Sequence, residues 1–175
     1  MERIAKFEKV SFNQFFEGAK EFLPNLNEDQ IKDLYEKIKL PKRATKASAG
    51  YDFFTYVDLT LNPGETLKVP TGIRCKIEDN YVLLIAPRSS LGFKYRLQLD
   101  NTIGVIDSDY YNAKNEGHIF IKITNDSKSN KQMKVNAQEG FAQGLFVQYG
   151  ITIDDEASEV RTGGFGSTNK EKEKK

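Results

Sequence analysis

The chain has 175 residues, of which 38% are hydrophobic and 29% charged, and its formal net charge is +1. This length is typical of one domain with a sizeable core, and the balanced charge argues against stable nucleic-acid binding or attraction to an anionic membrane. Cys75 and His118 are the only residues of their types, which excludes an intrachain disulfide and a zinc site of Cys and His ligands, and fits a cytoplasmic protein.

The first forty residues predict two helices, because apolar residues recur at helical spacing in residues 11–22 and 27–38. Each segment opens with a capping-box pattern and is followed by a proline. The capping pairs are Ser11 with Gln14, and Asn27 with Gln30. We expect a small helical hairpin, inserted at about residues 11–40, that covers a sheet.

The chain beyond Pro41 predicts short strands separated by Gly, Pro, Asn and Asp. Several strands with no alternating helices favour an all-β barrel or jelly-roll-type fold over a parallel α/β sheet. The charged tail, residues 169–175, is predicted to be disordered. The candidate strands are residues 53–57, 66–77, 81–86, 97–105, 118–124, 131–136 and 141–153.

Four stretches look more like parts of a site than like packing: residues 47–54 (ASAGYDFF), 87–92 (PRSSLG), 101–111 (NTIGVIDSDYY) and 161–170 (RTGGFGSTNK). They combine donors suited to phosphate oxygens, glycines that let backbone N–H groups approach an anion, acids, and aromatic faces for a sugar or base. Together they suggest a nucleotide polyphosphate, a metal and a hydrolytic water. The donors are Arg88, Ser89, Ser90, Arg161, Ser167 and Thr168, the acids Asp52, Asp107 and Asp109, and the aromatic residues Tyr110 and Phe165.

Each stretch alone has an ordinary interpretation. GGFGSTNK lacks the GK[ST] of a P-loop, and on its own reads equally well as a flexible linker. PRSSLG alone fits a loop after a strand, and DSDYYN alone fits a turn. The specific signal is the occurrence of all four in this order.

The set resembles the trimeric, all-β dUTPase (deoxyuridine triphosphate nucleotidohydrolase) family, in its bacterial and phage form. The resemblance runs from about residue 40 to 168 and includes AGYD, PRSSLG, GVIDSDY, a degraded GxxAQ and the terminal arm R…GGFGST. It implies one β domain over residues 1–160, an arm over 161–168 that covers the nucleotide, and a homotrimer whose sites are shared between chains.

The resemblance also implies the reaction, which is Mg²⁺-assisted attack of water on the α-phosphate of dUTP. Asp107 would orient and deprotonate the water, and Tyr110 would pack under the deoxyribose and leave no room for a 2′-hydroxyl. Asn101 and the backbone of residues 97–104 would contact uracil, and Asp52 would support Arg88 and the water shell of the metal. The remaining implied contacts to substrate come from Arg88, Ser89, Ser90, Gly92, Gly104, Gln143, Arg161, Phe165, Gly166, Ser167 and Thr168.

The sequence departs from the family pattern at several points. Gly140 stands where the fourth motif usually has Arg, and Arg161 lies four residues before Phe165, one closer than is common. Asn169 stands where the arm often ends in Gly. Residues 111–117 form a longer turn than usual, and the hairpin at 11–40 is an insertion. No role for either insertion follows from the sequence.

Two other functions fit the same fold. The related dCTP deaminases use a glutamate in the strand after the third motif, and here that strand reads HIFIKIT and carries no acid. A dUTPase-like module that binds a regulatory protein partner is the other alternative, although intact Asp107, Tyr110 and Phe165 favour catalysis. The sequence identifies no such partner.

Overall fold

A computed structural model of the chain describes residues 2–159, 161 and 163. The strands are β1 Ala5–Lys9, β2 Lys42–Arg43, β3 Tyr51–Phe54, β4 Leu59–Leu61, β5 Thr66–Pro70, β6 Ile73–Ile77, β7 Tyr81–Pro87, β8 Leu97–Leu99, β9 Gly104–Ile106, β10 Phe120–Asn125, β11 Met133–Val135 and β12 Gly140–Gln148. The helices are α1 Phe12–Phe22, α2 Glu28–Glu36, α3 Ser89–Tyr95 and a 3₁₀ helix at Ser108–Asn112. Within these described ranges no helix is long and apolar enough to cross a membrane.

The strands pair in antiparallel fashion, and the prediction of an all-β fold is confirmed. The largest sheet has the strand order β2-β3-β12-β7-β9, and a second has the order β5-β10-β8. Two further pairs, β1-β6 and β11-β4, complete the body. Alternating residues point inward because successive side chains of a strand face opposite ways. Among the fully buried side chains are Phe53, Leu83, Ile121 and Phe141.

The predicted helical hairpin is confirmed as α1 and α2, and it lies between β1 and β2 in the chain. Its two apolar faces are buried through Phe15 and Ile31, and the Phe15 ring lies 5.2 Å from that of Tyr56 in the body. The capping box at α2 is complete. At α1 only one of the two predicted capping-box hydrogen bonds is present. The Ser11 side chain accepts from the Gln14 N–H, but the Ser11 N–H donates to Glu116 instead of to the Gln14 side chain.

Several strand boundaries differ from the prediction. The run 66–77 is two strands, because Gly72 between them has φ +70° and ends the first ladder. The run 97–105 is likewise two strands joined by a turn, and the run 141–153 ends as a strand at Gln148. We did not predict β1, β2, β4 or α3 from the sequence. The helix α3 occupies most of the stretch PRSSLG, which taken alone fitted a loop.

His118 is fully buried and lies against Phe120, with the ring centroids 4.3 Å apart. Its Nε2 accepts a hydrogen bond of 2.9 Å from the Gly72 N–H, so this nitrogen carries no proton and the imidazole is neutral. Burial lowers the pKa of His118 to about 4, and Lys68 adds to this shift while Glu116 opposes it. His118 is therefore a structural histidine.

We expect His118 to make the fold sensitive to mild acid. The unfolded chain takes up a proton near pH 6.5 and the native chain only near pH 4, so stability from this group is complete above pH 6.5 and is lost as the pH falls towards 4. The free energy of unfolding should be lower by about 2 kcal/mol at pH 5 than above pH 6.5 because of this group. Urea unfolding at pH 7.5 and pH 5 measures it, with His118→Gln, which retains an acceptor, as the comparison. Equal pH dependence in the two proteins would contradict this prediction.

Candidate functional site

Arg88 lines an open cleft of about 370 Å³, which we call the arginine cleft. Its Nη1 donates a 3.0 Å hydrogen bond to the Gly140 carbonyl, and its Nε lies 3.3 Å from Asp52 Oδ1. These two contacts use the Nε and one Nη1 N–H of the guanidinium, which has five N–H donors in all. The cleft is lined by Asp52, Phe54, Arg88, Ser90, Leu91, Lys134, Val135, Gln138, Glu139 and Gly140.

The large sheet positions the acid and the amide beside Arg88. Asp52 on β3 pairs with Gln143 on β12, which pairs in turn with Ala86 on β7. Side chains directly opposite on neighbouring strands share a face, so Asp52 and Gln143 lie on the same face. Gln143 Nε2 donates 3.1 Å to the Pro87 carbonyl. The predicted residues Asp52, Arg88 and Gln143 are thus brought together.

Gly140 explains how the cleft accommodates Arg88. A Cβ atom at this position would lie 3.0 Å from Arg88 Nη1 and 3.1 Å from its Cδ. Arg88 therefore occupies the space directly over Gly140, the position at which the family pattern usually has an arginine. A larger side chain at Gly140 would have to displace Arg88.

The stretch PRSSLG continues into α3, which begins directly after Arg88. Ser89 and Ser90 are exposed on its first turn, where their hydroxyls are accessible from solvent. A Cβ atom on Gly92 would meet nothing within 4 Å, so packing against the body does not require glycine there. The helix was missed because hydroxyl residues and glycine are typical of loops and turns.

Lys134 is a member of this cleft that the sequence did not single out. It lies on the exposed side of β11 between the buried Met133 and Val135. The ammonium groups of Lys39 and Lys42 are each 5.8 Å from the ring of Phe54, another lining residue, so two further cations lie near the cleft. The alternation in β11 was visible in the sequence, but its position near Arg88 depends on the sheet.

Asp107 belongs to a second group, which we call the acid group: Asp107, Asp109, Tyr110 and Arg161. Arg161 Nη2 donates 2.6 Å to Asp107 Oδ2, and Nε donates 2.9 Å to Asp109 Oδ1. Asp107 is the N-cap of the 3₁₀ helix and Tyr110 lies within it, and the Tyr110 N–H donates 3.2 Å to the Asp107 carbonyl. Arg161 Cζ lies 5.8 Å from the Tyr110 ring centroid.

The segment 97–104, predicted to contact uracil, comprises β8, the turn after it and the first residue of β9. It is not a β-hairpin, because β8 pairs with β10 and β9 pairs with β7. Asn101 is exposed in this turn, and its carbonyl accepts 2.6 Å from the Ile103 N–H. Gly104 is buried, and a Cβ atom there would lie 3.0 Å from Ile85 Cβ, so glycine permits the close approach of β9 to β7. Phe165, Gly166, Ser167 and Thr168 lie outside the described residues, as does the tail 169–175.

Within one chain, the arginine cleft and the acid group lie far apart. Ile106 pairs with Leu83, so Asp107 lies level with Val82, at the start of β7. Arg88 follows the other end of β7, six residues further on. At the rise of a β-strand, this separation is about 20 Å. The two halves of the predicted site therefore do not meet within the described part of a single chain.

The chain was compared with known proteins. Residues 36–169 match the family model described as dUTPase. The chain is 40% identical over 134 residues to the deoxyuridine 5′-triphosphate nucleotidohydrolase of Lactococcus lactis, covering 75% of this chain and 88% of the relative. It is also 40% identical over 149 residues to the enzyme of that name from Paraburkholderia xenovorans, covering 81% and 96%.

Solved structures have the same fold. The crystal structure of the dUTPase from Streptococcus mutans has a TM-score of 0.60 and 31% identity, covering 83% of this chain and 97% of that one. A mutant dUTPase from phage phi11 of S. aureus has a TM-score of 0.60 and 19% identity, covering 90% and 98%, and shows likeness of fold. With the motifs in family order and a match over most of its length, this chain belongs to the dUTPase family.

Proposed function

We propose that this protein hydrolyses dUTP to dUMP and pyrophosphate. The observation that carries the proposal is the 3₁₀ turn that presents a carboxylate, Asp107, beside an aromatic ring, Tyr110, within the stretch that matches the family. A carboxylate can activate water, and a ring can form the floor under a sugar. The reaction limits uracil in DNA and supplies dUMP for dTMP synthesis, and we assign it to the cytoplasm.

In this mechanism Asp107 accepts a proton from a water molecule as the water oxygen attacks the α-phosphorus. The bond from the α-phosphorus to the bridging oxygen breaks, and pyrophosphate leaves with that oxygen. Arg161 holds Asp107 through Oδ2, which leaves Oδ1 to receive the proton. Arg88, with Ser89 and Ser90, neutralises and orients the phosphates, because charge-assisted bonds to phosphate are strong and directional.

Mg²⁺ is the proposed cofactor, and the chemistry of the described residues fits a metal carried mainly by the substrate. Among those residues there is no group of three or more His, Cys, Asp or Glu side chains that could hold a metal ion. Mg²⁺ retains several waters and is often bound through substrate phosphates. Asp52 would contact that water shell, since its carboxylate already pairs with Arg88. When bound, the ion neutralises developing phosphate charge.

A homotrimer with shared sites is the assembly that would join the two halves. The separation of about 20 Å between Asp107 and Arg88 requires that another copy supply one of them. β9 is the edge of the large sheet, and Val105 on it and Ile103 beside it are exposed apolar residues. Ile151 and Ile153, just before the arm, are also exposed. Exposed apolar groups of this kind support contact with other copies.

Product analysis with dUTP, dCTP, dTTP and UTP tests the function. We expect dUMP and pyrophosphate from dUTP in the presence of Mg²⁺, detected by chromatography and by phosphate release after added pyrophosphatase. Formation of dUDP and orthophosphate would reject attack at the α-phosphorus. Ammonia released from dCTP would instead favour the deaminase alternative. Binding of a regulatory protein stays the second alternative from the sequence, and this assay does not test it.

Lys134 gives a test of the phosphate side of the site. If the triphosphate enters the arginine cleft, Lys134→Ala should raise KM for dUTP about fivefold, because one partly exposed charge contact contributes about 1 kcal/mol. The exposed Lys131→Ala is the matched control, since Lys131 is not among the residues that line this cleft. Inhibition by dUMP, which lacks the outer phosphates, should be unchanged. Equal KM values in the two variants would remove Lys134 from the site.

A further inference from the structure

The two insertions, to which the sequence assigned no role, contact each other next to the acid group. The Ser11 N–H and hydroxyl donate 2.7 and 2.6 Å hydrogen bonds to the carboxylate of Glu116. Ser11 begins α1 of the helical hairpin, and Glu116 belongs to the longer turn at residues 111–117. Arg74 lies 3.8 Å from the same carboxylate and stacks on Tyr111, 3.5 Å from the ring centroid. The hairpin therefore fixes one end of this turn.

The other function of this turn is to hold the hydroxyl of Tyr110. That hydroxyl donates 2.8 Å to the His118 carbonyl and accepts 2.7 Å from Asn115 Nδ2. The Tyr110 side chain is buried, so both bonds are shielded from water. A buried polar group that loses a partner costs more than one at the surface. The two bonds therefore help to fix the position of the ring.

The backbone of the turn directs Asn115 towards this hydroxyl. Gly117 has φ +68°, and a Cβ atom there would lie 2.7 Å from the Tyr110 carbonyl oxygen and 2.8 Å from Tyr111 Cα. Only glycine tolerates both this conformation and this approach. The His118 N–H donates 3.0 Å to the Asn115 carbonyl, which closes the turn before β10. The chain thus folds back tightly over Tyr110.

We infer that Asn115 is a positioning residue for sugar selection: it fixes the Tyr110 ring so that a 2′-hydroxyl is excluded. The inference rests on the proposed function of Tyr110. A ring that discriminates by steric exclusion does so only while it cannot recede from the extra oxygen. Removing the Asn115 partner of its hydroxyl allows that movement, and the penalty against a ribonucleotide then falls. The insertion at residues 111–117 is assigned to substrate selection on this basis.

The test compares kcat/KM for dUTP and for UTP in three variants. Asn115→Ala should lower the dUTP:UTP ratio about tenfold, mainly by raising activity on UTP. Asn112→Ala is the matched control, because Asn112 is exposed in the same segment, and it should leave the ratio unchanged. Tyr110→Phe keeps the ring and removes both bonds of the hydroxyl, so it should lower the ratio at least as much as Asn115→Ala.

The double variant gives the most specific test of this inference. Asn115→Ala combined with Tyr110→Phe should change the ratio no more than Tyr110→Phe alone, since Tyr110→Phe already removes the bond to Asn115. An unchanged ratio in Asn115→Ala, or an equal loss of activity on both nucleotides, would overturn the inference. If Asn115→Ala did not fold, Tyr110→Phe with an unchanged ratio would overturn it as well. Tyr110→Ala distinguishes failure of this inference from failure of the proposed function. An unchanged dUTP:UTP ratio in Tyr110→Ala would reject the proposed role of Tyr110 itself.

Discussion

Replacing Asp107 by Asn is expected to lower dUTP turnover about 10²–10⁴-fold, the usual contribution of a general base. The amide has nearly the shape of the carboxylate, so the 3₁₀ turn and the hydrogen bond from Arg161 can persist. It cannot accept the proton of the attacking water, however. Binding of the substrate should be largely retained, because the proposed phosphate contacts come from Arg88, Ser89 and Ser90 and not from Asp107.

The measurement is single-turnover hydrolysis together with the affinity for a nonhydrolysable dUTP analogue. Asp109→Asn is the matched control, since Asp109 shares the guanidinium of Arg161 and is equally exposed. We expect a much smaller loss in this control. Near-normal turnover in Asp107→Asn with a large loss in Asp109→Asn would transfer the role of base to Asp109.

A chain that ends before Arg161 should fold and assemble but lose most of its activity. Arg161 contacts two half-exposed carboxylates, and exposed ion pairs contribute little to stability. The sequence 161–168 is polar and rich in glycine, so its loss removes little from any core. Phe165 and the predicted γ-phosphate donors would be removed together with Arg161. Circular dichroism, sedimentation and dUTP kinetics measure the three properties.

Mixing this truncated chain with full-length Asp107→Asn chains tests whether the arm acts on another subunit. Each variant alone should be nearly inactive. After co-refolding, some sites would combine an intact Asp107 with an arm from a neighbour, and part of the activity should return.

The structure makes the outcome of this mixing decisive, because Arg161 contacts Asp107 of its own chain. If the arm served only that chain, no mixed site would have both parts, and mixed trimers would stay inactive. Activity that returns therefore requires the arm to work between chains. A mixture of two truncated preparations controls for the refolding procedure.

The sequence predicted the helices well because their signals are local. The complete capping box of Asn27 and Gln30 joins residues three apart, and helical spacing defines the buried face around Phe15. The same holds for the alternation in β10. It missed β1, because that strand exists through pairing with β6, some seventy residues later in the chain. It missed α3 because the propensities of Ser and Gly opposed a helix there.

For the candidate site, the sequence by itself determined the chemical groups: an acid and a ring three residues apart, an arginine followed by two hydroxyls, and a glycine-rich arm. Only the tertiary structure decided how these groups are distributed. Strand register places Asp107 and Arg88 at opposite ends of β7. Folding also brings Lys134 to the cleft and Asn115 to the Tyr110 hydroxyl. Such contacts depend on register and turn geometry between distant segments, and local residue preferences do not specify these.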